Sequence, residues 1–171
     1  GMVLTLRDIS PLIRAQAELR ESERKYRELV ESANSIIMRI TPEHVITFFN
    51  EYAQNFFGYS ADEVLGRNVI GTITPPVDSE GHDLRHMTGE ITAHPELHGS
   101  NENENMRKDG TRVWVQWANR AIRDDQGAVR EILCVGTDIT RRKRLEREAL
   151  AYRRRLRELA RSEERRVGKE C

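Results

Sequence analysis

An apolar strand that passes without a loop into a strongly charged helix limits this chain more than any other feature of its sequence. Val129–Thr137 carries apolar residues at Val129, Ile132, Leu133, Cys134 and Val135, and Asp138-Ile139-Thr140 then leads straight into Arg141-Arg142-Lys143-Arg144. Beyond that point Leu145, Ala149, Tyr152, Leu156 and Leu159 step by four and three, the spacing of a narrow apolar helical seam. Between Arg141 and Arg166 stand 12 arginines and lysines against 5 glutamates, a surplus of 7 positive charges. A strand fixed in a sheet and a rod outside it, joined without slack, do not move independently. Thr140 is expected to cap the outgoing helix, and Asp138 to set a carboxylate near its positive end. Capping alone is the plainer reading of these two residues, and it is compatible with a mechanical role.

Upstream, Ser10-Pro11 is a helix-start pair, a capping residue followed by a first-turn proline. Leu12, Ala15, Leu19, Ser22, Tyr26, Leu29 and Ala33 then alternate steps of three and four, so a helix is expected over residues 10–32. Three heptads barely stabilise an isolated helix, and this seam therefore needs a partner surface, either its own domain or another chain. Residues 33–140 read as the globular zone. Ser35–Thr41 and His44–Asn50 are expected strands around a turn at Pro42-Glu43, followed by a helix over Glu51–Phe57 ended by Gly58. Ser60 and Glu63 have capping-box spacing, and a longer helix is expected from Asp78 to about His94, before Pro95. Asp109-Gly110 marks a hairpin between Glu102–Arg107 and Thr111–Arg123. The last strands are apolar on both faces: Val113, Val115 and Trp117 oppose Trp114 and Ala118, and Ile132 and Cys134 oppose Leu133 and Val135. Something is expected to cover the second face, the flanking helix or a second subunit.

Composition narrows the function classes. With 171 residues there is room for one domain plus extensions, 33% of residues are charged, and the formal net charge is zero. No global field draws such a chain to nucleic acid or an anionic membrane. Arginines of the last helix are interleaved with glutamates and lack an aromatic stacking set, so a solvated linker is expected there and no nucleic-acid partner. Two cysteines, Cys134 and Cys171, form no disulfide framework or zinc spacing, and a reducing cytoplasmic compartment fits. No apolar run approaches the roughly 20 residues of a membrane span, although the parent protein is free to be membrane-anchored. There is no phosphate-binding glycine loop, nucleophile–base pair or paired acid on a predicted cleft, so an enzyme is not expected and no catalytic residue is assigned.

Several segments together resemble a known family. Phe49-Asn50 through Ala53 to Phe57-Gly58-Tyr59-Ser60, then Glu63-Val64-Leu65-Gly66-Arg67, looks like the second strand and first helices of a PAS domain. Lys108-Asp109-Gly110-Thr111 with Val113-Trp114-Val115 resembles its central hairpin, and Gly136-Thr137-Asp138-Ile139-Thr140 before Arg141-Arg142-Lys143 resembles its C-terminal exit signature, the PAC motif. The resemblance covers about residues 22–145. It implies an α+β PAS fold, a five-stranded antiparallel sheet with helices on one face, flanked here by coiled-coil-like helices. It also implies a sensory module with Asp138, Ile139 and Thr140 as signal-relay residues, a homodimer through the flanking helices, and an output domain farther along the chain. Tyr152–Ala160 resembles the approach to a histidine kinase dimerisation region, making a bacterial two-component sensor kinase the expected parent. A diguanylate cyclase parent and a ligand-free dimerisation scaffold are the alternatives.

Asp8-Ile9-Ser10 lies 130 positions before Asp138-Ile139-Thr140 and has the same setting, so residues 1–9 are expected to be the last strand of a preceding PAS domain. Residues 141–160 are then the signalling helix. Arg161–Cys171 resembles the translation of a sequencing-library adapter, and on that reading the natural chain continues beyond Ala160. The photoactive flavin subclass needs Gly-x-Asn-Cys, whereas Gly66-Arg67-Asn68 is followed here by Val69, so flavin photochemistry is not expected. His82, His86, His94 and His98 fall where haem-binding members carry an axial ligand; His86 is the weak candidate, set against histidines with no cofactor. His82 and His86, four apart, would share a helical face, but no further ligands complete a metal site.

Overall fold

The structure, a computed structural model, describes residues 9–31, 33–94 and 97–167. The expected strand over residues 1–9 lies outside these apart from Ile9, as do residues 168–171 of the tail. Helix α1 (Ser10–Glu31) leads into β1 (Ile36–Ile40) and β2 (Ile46–Phe49), then α2 (Glu51–Phe57), α3 (Ala61–Val64) and α4 (Leu84–Ala93). Strands β3 (Ser100–Met106), β4 (Arg112–Arg123) and β5 (Val129–Asp138) follow, and α5 (Thr140–Val167) closes the chain. All pairings are antiparallel and the sheet order is β2-β1-β5-β4-β3, which puts the last strand at the centre between the first and fourth. The α+β fold with a five-stranded antiparallel sheet is the one that the family resemblance implies.

Alternation sets the core. Ile36, Met38 and Ile40 of β1, Ile132 and Cys134 of β5, and Val113, Val115 and Trp117 of β4 all point to one face. Phe49, Ala53, Phe57, Val64 and Val69 from β2 and the helical segment cover that face. Gly136 of β5 faces Trp117, and a Cβ there would stand 2.7 Å from the indole and 2.9 Å from Val115 Cγ1, so only glycine lets the indole lie flat on the sheet. Helix α2 starts at Asn50, whose Oδ1 accepts from Ala53 N at 3.0 Å, and stops at Gly58 in the left-handed region with φ +78°. Left-handed backbone there is glycine's usual task.

Two expectations need correction. The longer helix begins at Leu84, not Asp78. Asp78 Oδ1 accepts from the N–H groups of Glu80 and His82, Gly81 has φ +92°, and Asp83 takes the N-cap position by accepting from Arg85 N. Aspartate side chains there bond local backbone, which holds residues 78–83 in a turn against helix propagation. His82 therefore precedes the helix, and it does not share a face with His86.

The second correction concerns the outer sheet face. Helix α1 does not lie on it: Leu12, Leu19 and Leu29 are 60%, 60% and 66% exposed, and α1 buries no residue. Only its last turn meets the domain, where Tyr26 and Val30 border an open apolar groove lined by Ile37, Phe48, Leu133 and Val135. Within one chain the groove is uncovered because α1 is tied at its end alone, through Val30 O to Asn50 Nδ2 and through the Glu31 carboxylate to Glu51 N.

Candidate functional site

A small interior pocket and the sheet-to-helix junction are the two places where this fold departs from simple packing. Helix α4 faces the core side of the sheet across a pocket of about 40 Å³, to which it contributes Met87, Thr88 and Ile91. Its other walls are apolar on the β1 and β5 side, with Met38, Ile40 and Cys134, and polar on the β3 and β4 side, with Asn101, Asn103 and Asn119. Burial pushes the Cys134 thiol up to about 12, so it is a neutral wall residue at physiological pH.

The polar wall is a chain of side-chain amides. Asn119 Nδ2 donates to Asn101 Oδ1 at 2.7 Å, Asn101 Nδ2 to Asn103 Oδ1 at 2.9 Å, and Asn103 Nδ2 to Asn105 Oδ1 at 3.3 Å. Asn105 Oδ1 also accepts from Trp117 Nε1 at 3.1 Å, while its Nδ2 donates to Ile73 O and Thr74 Oγ1. Asn103 and Asn105 are buried, on a strand reading Ser-Asn-Glu-Asn-Glu-Asn-Met. Sequence reasoning missed this wall, since nothing in an all-polar strand says which amides are turned inward. The usable signal was period-two placement of Asn101, Asn103 and Asn105 opposite Trp117, Val115 and Val113.

At the junction, β5 ends and α5 begins against β4. Ile139 N donates to Trp114 O at 2.9 Å, and Trp114 N donates to Thr140 Oγ1 at 2.9 Å, so a hydroxyl continues the strand ladder where a carbonyl would have served. Thr140 is thus engaged with the neighbouring strand. The capping role falls to Asp138, whose Oδ1 accepts from Thr140 N at 2.8 Å. The first turns of α5 are then fastened by charge. Arg142 and Lys143 donate to the two Glu102 oxygens at 2.6 and 2.8 Å, and Lys143 and Arg147 sit 5.0 and 5.4 Å from the Trp114 ring centroid. Arg147 also reaches Glu80 at 3.1 Å, in the turn before α4. That turn is pinned by Ser79, whose N and Oγ each donate at 2.6 Å to the buried Glu104 carboxylate. Helix α5 therefore touches both the sheet and the segment that carries the pocket's covering helix.

A family model described as the PAS fold matches residues 24–139. This chain belongs to the PAS family. Over 136 residues the domain is 27% identical to the two-component sensor PprA of Pseudomonas aeruginosa, an alignment that takes in 78% of this chain and 14% of that protein's length. Among solved structures, the PAS domain of a Colwellia psychrerythraea protein superimposes with a TM-score of 0.60 at 20% identity, over 70% of this chain and 98% of that one. A sensory box histidine kinase/response regulator from Burkholderia thailandensis gives 0.55 at 20%, over 78% of this chain and 98% of that structure. The strand order and the helical face of this PAS domain follow the fold of those relatives.

Within the PAS domain, Asp138, Ile139 and Thr140 come together with Trp114 at the exit. His86 is on the exposed side of α4, outside the pocket lining. His82 is exposed too, its Nδ1 2.9 Å from Asp78 Oδ2, a bond that raises its affinity for a proton. No helix among the described residues is long and apolar enough to cross a membrane.

Hydrogen bonds from Lys143 first and Arg142 second hold the Glu102 carboxyl below the usual carboxylate range. A carboxyl depressed on folding stabilises the folded state above its ordinary value, about 4.3, and the contribution disappears as pH falls through the folded value. Hydrogen exchange should therefore show the first turns of α5 losing protection below about pH 4 while the sheet amides stay protected. Glu102→Gln should weaken protection of those turns at neutral pH and flatten the acid dependence. Equal acid sensitivity in the variant would remove Glu102 from the clamp.

Proposed function

We propose that this PAS domain is the sensory input of a larger cytoplasmic signalling protein and passes its state to an output domain through α5. The observation that carries the reading is the junction at Trp114, where both backbone polar groups of one strand residue are bonded to Ile139 and Thr140, the link into the outgoing helix and its first residue. A change in pocket occupancy or in a bound partner alters the seating of α4 and the sheet. That change reaches α5 by two routes, through β4 and β5 at Trp114 and through the Ser79–Glu80 turn at Arg147. Asp138, Ile139 and Thr140 are the relay residues in this scheme.

The domain works as a homodimer in this reading. Exposed seams on α1 and α5, with Leu145 and Leu156 52% and 48% exposed, and the apolar groove on the outer sheet face are surfaces that a second copy would cover. Similarity to PprA, a two-component sensor, supports a two-component output, which in this reading is a histidine kinase.

A chimera tests it, with residues 10–160 replacing the input module of a histidine kinase. Thr140→Val, which removes the acceptor for Trp114 N, and Trp114→Leu, which keeps that bond but removes the ring under Lys143 and Arg147, should each fix autophosphorylation at one level. Pocket substitutions such as Met87→Trp should change that level only when Trp114 and Thr140 are intact. Kinase output that follows the pocket in both backgrounds would refute relay through this junction.

A further inference from the structure

We infer that the pocket under α4 is a recognition site for a small uncharged molecule bearing a primary amide or urea-like group, held by Asn101 and Asn119. This rests on the sensory reading above and names the class of ligand for it.

Size is the first constraint. About 40 Å³ corresponds to the space of about three ordered waters, far below the roughly 300 Å³ at which drug-sized pockets begin. Charge is the second. Among the described residues no carboxylate, ammonium or guanidinium group lines the pocket, and its thiol is neutral, so a charged ligand would lose its hydration with no countercharge from them in return. Hydrogen-bonding capacity is the third. Each asparagine side chain has two N–H donors and an oxygen with two lone pairs. Asn119 spends both donors, on His98 O and Asn101 Oδ1, and among the described residues nothing donates to its own Oδ1. Asn101 spends one donor on Asn103 and keeps a second. Both residues are half-buried at one end of the pocket, while the inner members of the row, Asn103 and Asn105, are buried and bonded onward to the backbone and to Trp117. The open acceptor of Asn119 and the open donor of Asn101, on two amides bonded to each other at 2.7 Å, match the donor and acceptor that one amide group presents. The opposite wall of Met38, Ile40 and Ile91 suits a short alkyl remainder.

Acetamide and acetate have nearly the same size and shape and differ in charge and donor count, so they make the test. In proton–nitrogen correlation spectra of the chain, acetamide should give saturable shifts in the side-chain amides of Asn101 and Asn119 and in the Trp117 indole N–H. Acetate should bind at least about tenfold more weakly, the factor expected for one lost hydrogen bond. Asn119→Ala should weaken acetamide by a similar factor, with a melting curve run alongside to show that it folds. Absence of saturable shifts with acetamide in the wild-type chain, or an equal response to acetate, overturns the assignment. Neither result touches the relay, which pocket-filling Met87→Trp probes without any ligand. Conversely, acetamide binding that leaves α5 unmoved would end the relay and leave the ligand class standing.

Discussion

Replacing Asn50 by alanine should destabilise the domain by about 2–4 kcal/mol, because four backbone groups would lose their partner at a fully buried site. Asn50 Oδ1 accepts from Ile37 N and Ala53 N, each at 3.0 Å, and Nδ2 donates to Val30 O at 3.1 Å and Ser35 O at 3.0 Å. One amide thus joins the end of α1, the start of β1 and the first turn of α2, and its accessibility is 0%. A cap alone is worth about 1 kcal/mol. Stranding the buried Ala53 N–H and the half-buried Ile37 N–H accounts for the rest. Urea unfolding of the Asn50→Ala chain should show a lowered midpoint, and thermal melting should fall by about 10 °C or more. Asn50→Ser separates the parts. Serine is a good N-cap but too short for the other partners, so it should recover about 1 kcal/mol and leave the last turn of α1 exchanging freely. A full recovery by serine would mean that the tether to α1 contributes nothing.

Gly136→Ala is the second large effect. The added methyl meets Trp117 at 2.7 Å and Val115 at 2.9 Å, both on rigid strand positions of the neighbouring β4. Trp117 has little room to yield, since its Nε1 is held by Asn105 and its ring is 4% exposed. Overpacking of this kind costs about 1–3 kcal/mol. Trp117→Phe in the same chain should relieve part of it, although phenylalanine also gives up the bond to Asn105. The diagnostic outcome is therefore non-additivity, with the double variant more stable than the sum of the single losses predicts. Strict additivity would show that the indole does not set the requirement for glycine.

Much of this fold could be read where a local rule decides. Asp109-Gly110 turned the chain at Gly110 with φ +85°, and Phe57-Gly58 ended a helix at the left-handed glycine. Residues that take a non-local partner were harder. Thr140 looked like a helix cap, and its hydroxyl went to Trp114 N, 26 positions away, because two strands happen to end there. Asp78 looked like helix, yet its carboxylate bonded Glu80 and His82 of its own turn. The asparagines of β3 are polar by composition and internal by position, since their bonding groups arrive from Ile73, Thr74 and Trp117. The apolar outer sheet face led one to expect a cover, and α1 within the same chain reaches only its margin. Such features depend on distance in the fold, which periodicity does not carry.

Mechanical continuity from pocket to rod is the claim on which the reading of this domain stands. Double electron–electron resonance between spin labels at Asp125, in the exposed β4–β5 turn, and Arg154, on exposed α5, measures it directly. With Cys171→Ser and with Cys134 buried, only the introduced cysteines should label. Met87→Trp, which fills the pocket under α4, should shift the distance distribution by a few ångströms, and Thr140→Val should abolish that shift. An unchanged distribution in a folded Met87→Trp chain would contradict the account.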